Sequence, residues 1–188
     1  MQIPKTGEVV WYVTGRFYAR GTSLLDVGYF IFLSGIGAPL FAGAPSESTA
    51  YFTFSAAPFT ASKIDNGGLG ISVDATGSFA LYVRESPGAS FDDPASFAEG
   101  RCIATFERVS IVAATQISVP SGMALTSNVF TARLVSSERF DFGGRTYDLA
   151  ELIGDGITQW GTAASEPLAP PSGYDAVAPF VGSAIRIG

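Results

Sequence analysis

No histidine occurs among the 188 residues, and the one cysteine, Cys102, has no second thiol to join. Without imidazole there is no Ser-His or Cys-His nucleophile, no histidine metal site and no side chain whose ordinary pKa lies near 7. A lone thiol closes no internal disulfide, which fits a reducing compartment. Charge is scarce too. Charged residues make up 15% of the chain, below the usual quarter, and no Lys/Arg cluster exists to follow a phosphate backbone, so nucleic acid is not an expected partner. No run reaches the length of a membrane span. The N-terminal MQIPKTGEVVWYV lacks the apolar core and cleavage site of a secretory signal, so no membrane partner and a cytoplasmic location are expected. The GxxxxGK phosphate loop is missing, as is GxGxxG in a strand-to-helix setting. The loop acids Glu47, Asp92 and Asp93 lack the oxygen ladder of a calcium loop. Neither a cofactor nor a metal is expected.

What is present is apolar and aromatic: 47% hydrophobic residues, 13% aromatic, with 15 Phe, 7 Tyr and 2 Trp, under a net charge of −6 from 17 acids and 11 bases. The length suits a single domain over 1–188, long enough to bury about 70% of its unfolded surface. Apolar residues recur with period 2, separated by Gly, Pro, Asn, Asp and Ser, which predicts an all-β chain. In EVVWYVTGRFYAR, Val9, Trp11, Val13, Gly15, Phe17 and Ala19 form an apolar face and Tyr12, Thr14, Arg16, Tyr18 and Arg20 a polar one. The next run, LLDVGYFIFLSGI, is apolar on both faces and reads as a central strand.

After the loop GAPLFAGAPSE come the strands STAYFTFSA, LGISVDA and SFALYVRES, with turns at Asp65-Asn66-Gly67-Gly68 and Thr76-Gly77. Asp93 as N-cap, Pro94 and Gly100 predict one helical turn over 94–99. Two long strands follow, RCIATFERVSIVAATQISV and MALTSNVFTARLVSSERFDF, whose length suggests a strongly coiled sheet. Asp148, Glu151 and Gly154 predict a short helix that caps one end. The Pro/Gly-rich stretch 165–174 is a linker to a C-terminal strand, APFVGSAIRIG, that closes or extends the sheet.

About eight sequential strands with short turns fit a single antiparallel β-barrel with one or two short helical turns; a two-sheet sandwich is the alternative. The meander order favours the barrel, glycines inside strands (Gly15, Gly28) permit bends, and no Cys-Trp-Cys spacing argues for an immunoglobulin sandwich. From DVGYFIFL through AYFTF to SFALYV, over about residues 8 to 142, the pattern resembles calycin-like barrels of the allene oxide cyclase and dirigent type. The resemblance is one of architecture and carries over no functional residue. It implies a cavity for a small apolar molecule; some members of that group steer cyclisations by confining a reactive substrate.

Glu107 sits in the row Ile103, Thr105, Glu107, Val109, Ile111. If that row faces inward, its carboxylate is an acid or base of raised pKa; if the other row does, Glu107 pairs with an Arg on an outer face. Arg133 shares a strand face with Val129, Thr131 and Val135, and either holds a ligand carboxylate or makes a cross-strand pair with Glu107. Tyr51 is the second candidate for acid-base or hydrogen-bonding work. Trp11, Tyr12, Tyr29, Tyr82 and Phe106 are candidate ligand-lining residues, with an ordinary aromatic core as the alternative. Cys102 reads as a small buried hydrophobe.

The expected function is a barrel enclosing a small apolar organic ligand, acting as a cofactor-independent cyclase or isomerase by substrate confinement. A non-catalytic carrier is the alternative, and a structural protein that packs aromatic sheet faces between copies, as a homo-oligomer, is a third.

Overall fold

The computed structural model describes residues 3–21, 23–57, 59–60, 62–66, 69–74, 77–109, 112–118, 124–163 and 168–188, with backbone alone for those within 59–74 and 112–126. The alternation in the sequence becomes β1 (Val9–Arg20), β2 (Ser23–Leu33), β3 (Phe52–Ala56), β4 (Phe59–Thr60), β5 (Ser62–Asn66), β6 (Leu69–Asp74) and β7 (Ser78–Val83). A 3-10 helix (Pro94–Ala98) separates these from β8 (Arg101–Arg108), β9 (Val112–Ser118) and β10 (Ala124–Ser137). A small hairpin of β11 (Phe140–Phe142) and β12 (Arg145–Tyr147), the helix α1 (Leu149–Ile153), β13 (Gly156–Ala163) and β14 (Ala176–Ile187) complete the chain.

Eight strands close an antiparallel barrel in the order β13-β14-β1-β2-β3-β7-β8-β10, and β10–β13 pairing completes the ring. Each of the eight has a partner on both sides, which removes the open edges a two-sheet sandwich would keep. The C-terminal strand pairs with β1 from Val9↔Ile185 to Ala19↔Ala176. Both long strands are interrupted: β8 and β9 run one after the other against β10, and β5, β6 and β9 extend beyond the ring as a flange. The expected turn residues Gly67, Gly68 and Thr76, and residues 165–167 of the linker, lie outside the described residues.

Alternation sends Trp11, Val13, Gly15 and Phe17 of β1 inward as expected, to meet Phe30, Phe54, Phe79, Phe106, Phe130 and Phe180 in one core. Gly15 and Gly28 face each other across β1 and β2. A Cβ on Gly15 would lie 2.7 Å from the Phe180 ring, and one on Gly28 2.8 Å from the Phe54 ring. Closer still to those positions lie the Val27 and Thr14 carbonyl oxygens, so the two glycines admit the close approach of the facing strands as well as the rings. Register shifts interrupt the β1 pairings at Val9/Trp11 and Tyr12/Val13, irregularities that add to local twist.

One end of the barrel is shut by the β11–β12 hairpin and α1, whose Phe140, Tyr147, Leu149, Leu152 and Ile153 join the core. Asp148 caps α1 by accepting from the Ala150 amide at 3.0 Å, and Gly154, at φ 72°, ends it. Asp93 stands at the N-cap of the 3-10 helix with Pro94 after it, as expected, but its side chain makes no capping bond. The Ser96 hydroxyl supplies the local bonds, donating to the Asp93 carbonyl at 2.6 Å and accepting from the Ser90 amide at 2.9 Å.

Segment 84–100 lies over the outside of β1, β2 and β3 and creates a second core from Tyr18, Val27, Ala89, Phe91, Phe97 and Val177. Tyr18, expected on a polar face, is wholly buried there and donates to the Phe91 carbonyl at 2.7 Å. Burial pushes its phenol up to about 12, against the opposing pull of nearby Arg16. Because the folded-state pKa exceeds the unfolded one, the stability held below about pH 10 is lost as pH rises through about 12. Urea unfolding at about pH 9 and about pH 11.5 should therefore give a smaller alkaline loss for Tyr18→Phe than for wild type; equal losses would rule Tyr18 out as the source.

Candidate functional site

The polar groups of the interior gather among its aromatic rings. Asp26, on β2, is the one charge in an otherwise apolar strand, and alternation with Phe30 on that strand turns it inward. Arg108 follows Phe106 by two positions on β8, so it shares the inward row. Its Nη2 donates to Asp26 Oδ2 at 3.2 Å and approaches Oδ1 at 3.5 Å, with both residues buried. The guanidinium carbon stands 4.9 Å from the Phe130 ring centre and 5.7 Å from that of Phe79, close enough for cation–π attraction. Burial raises the Asp26 carboxyl above its ordinary value and outweighs the opposing attraction of Arg108.

Two further polar features lie in the interior, the first of them at the same space. Trp11 Nε1 donates to Gln159 Oε1 at 3.1 Å. Asn128 is buried on the inward row of β10, and its Oδ1 has no hydrogen-bond partner among the described residues. Its amide lies against Gly161 of β13, where a Cβ would come within 2.8 Å of Oδ1. The space bounded by Trp11, Asp26, Phe79, Arg108, Phe130 and Gln159 is small, about 10 Å³, enough for about one water-sized body. The arrangement offers a fixed cation, an acid of raised pKa and amide groups inside an apolar wall.

The residues singled out from sequence divide between the inside and the outside. Trp11 and Phe106 are interior, with Phe106 stacked on Phe79 at 4.8 Å and edge-on to Trp11 at 5.9 Å. Glu107 is not: it is exposed on the outer row, opposite Arg133 and Ser78. The inward row of β8 is Ala104, Phe106 and Arg108, because the bulky ring joins the aromatic core and the arginine behind it meets Asp26. Arg133 is likewise exposed on the outer face, and Ile111 of the Glu107 row lies outside the described residues.

Tyr51 is half-buried just before β3, edge-on to Phe142 at 5.4 Å. Tyr12 is exposed beside Phe32. Tyr29 belongs to the outer core between Phe41 and Phe91, and burial raises its phenol. Tyr82 lines an open groove of about 400 Å³ on the outer wall with Leu25, Pro94 and Tyr174. Cys102 is half-buried, and burial pushes its thiol up, away from the range of a reactive thiolate.

Asp26, Arg108, Asn128 and Gln159 are not among the residues that the sequence pattern singles out. The available signal was a carboxylate inside a run that is apolar on both faces, LLDVGYFIFL, since such a residue needs a buried cation. No family model matches this chain, no curated protein matches it, and no solved structure matches it.

Proposed function

We propose that the barrel binds a small, largely apolar organic molecule that carries one acidic or carbonyl oxygen, with Arg108 as its anchor. The observation that carries this reading is the buried Arg108–Asp26 pair within a shell of Phe and Trp side chains. Such a pair adds little to stability, because an apolar pair of similar volume does as well or better. Recognition of a ligand oxygen gives it a purpose that folding does not. The buried amide oxygen of Asn128, unpartnered among the described residues, adds a second polar group facing the same interior.

The 10 Å³ between these side chains is far below the several hundred typical of small-molecule sites. Binding therefore requires the rings of Phe79 and Phe130, which flank the guanidinium, to swing aside. In the catalytic form of this reading, a cyclase or isomerase, the Asp26 carboxyl is the proton donor and the aromatic wall holds the substrate folded. In the carrier form the same groups only hold it.

The test is native mass spectrometry of the protein as purified, followed by titration with a polyene carboxylic acid and its methyl ester. The acid is expected to bind at least about 10-fold more tightly than the ester, a difference a charge-assisted hydrogen bond readily supplies. The double variant Asp26→Leu/Arg108→Met should bind both equally. No co-purified compound together with no uptake of either probe would sink the proposal.

A further inference from the structure

A different surface of the barrel carries an inference independent of the interior. Val129, Trp160, Ser183, Tyr12 and Phe32 stand side by side across β10, β13, β14, β1 and β2, each in direct register with the next. All five face outward. The apolar members of this row, with neighbouring Ile31 and Val181, are 40–54% exposed. Tyr12 and Phe32 already lean on each other, with ring centres 5.7 Å apart.

The flanking outer positions Thr14, Thr158 and Thr162 are uncharged, and β13, GITQWGTA, contains no charged residue at all. Higher on the same side of β14, β1 and β2, the chain covers its own apolar outer surface: segment 84–100 lies over Tyr18, Val27 and Val177. The Tyr12–Trp160 half receives no such cover from the described residues.

We infer that this uncharged aromatic row is the contact face for a second copy of the chain, forming a two-fold dimer. Two features of the molecule select that occupant. The chain carries a net charge of −6, so two copies repel through most of their surfaces, and a face without carboxylates is one on which they can meet without opposing or desolvating charge. The area also fits. Side chains of this size left about half open expose on the order of 500 Å² from these six residues, in the range of the largest apolar patch a monomer ordinarily shows, which is often a functional one. The threonine and serine rim brings it towards the ~800 Å² that each partner of a stable complex contributes. Face-on contact of the two rows puts Trp160 and Tyr12, residue types that dominate binding energy, near the centre.

Sedimentation velocity of the full chain from about 1 to 100 µM is the test. The wild type is expected to sediment as a dimer in the upper part of that range. Trp160→Lys should weaken association by at least about 30-fold, the effect of losing a hot-spot aromatic, with an unchanged melting temperature for the monomer. Trp160→Phe should keep the dimer. Should Trp160→Lys fail to fold, Val181→Lys, on the neighbouring strand at 54% exposure, takes its place with the same expectation. A wild type that stays monomeric to the top of the range overturns the inference, as does a dimer indifferent to either lysine. A monomer that floats with phosphatidylcholine vesicles overturns it as well and assigns the row to a lipid surface. Loss of polyene-acid binding would leave this inference untouched, since no residue of the row lines the interior.

Discussion

Asp26→Leu is expected to lower the unfolding free energy by about 3–5 kcal/mol, the cost of removing one partner from a buried ion pair. The companion change Arg108→Met in the same chain should return stability to the wild-type value or above. The asymmetry follows from what the two groups can do. A buried carboxyl can take up a proton, and burial already raises that of Asp26. A guanidinium stays charged, so Arg108 among the rings of Phe79 and Phe130 keeps its charge when the carboxylate goes. Equilibrium urea unfolding of the wild type and of the single and double variants forms a double-mutant cycle whose coupling energy measures the pair. A double variant as unstable as Asp26→Leu would mean that the pair holds the barrel together, and the argument assigning it to ligand recognition would lose its basis.

The second large effect is expected at Phe106. Its ring is wholly buried, stacked on Phe79 at 4.8 Å and edge-on to Trp11 at 5.9 Å. Phe106→Ala removes both contacts and leaves a void that neighbouring strands, each hydrogen-bonded on two sides, cannot close. The expected loss is about 3–5 kcal/mol in urea unfolding. The same void should be dry and take up xenon or benzene, as apolar cavities do. Val135→Ala, on the outer face at 62% exposure, is the control and should change stability by no more than about 0.5 kcal/mol. A Phe106→Ala loss as small as that of Val135→Ala would show that the interior relaxes freely. A wall that relaxes so easily would also admit the ligand at little cost, so this variant reports on entry as well as on stability.

Much of the barrel was legible because alternation is a local property. Trp11, Val13 and Phe17 read as one face from spacing alone and meet the core together, whereas the register shift after Val9 puts Val10 in the core in place of Val9. The α1 helix was legible for the same reason: Asp148 and Gly154 act within one turn of themselves. Tyr18 was misplaced because its environment comes from segment 84–100, more than sixty positions away and invisible to periodicity. Gly15 and Gly28 read as strand positions that permit bends; that they also accommodate the rings of Phe180 and Phe54 depends on β14 and β3 and is not a local property.

The site shows the same division. β8 offers two rows, one with Glu107 and one with Phe106 and Arg108, and nothing within the strand says which faces in. That choice follows from partners elsewhere in the chain: Phe79 and Trp11, which stack on and abut the Phe106 ring, and Asp26, which lies 82 positions away and meets Arg108 only after the ring closes.

By itself, then, the sequence determined that this protein is built of strands, that its strands carry apolar rows, and that imidazole chemistry and an internal disulfide are closed to it. Only the tertiary structure decided which rows face inward, which aromatic residues the chain covers and which it leaves open, and which charges meet. The physical reason is range. Backbone alternation and capping are set by neighbours a few bonds away, whereas burial and ion pairing belong to residues that closure of the sheet brings together.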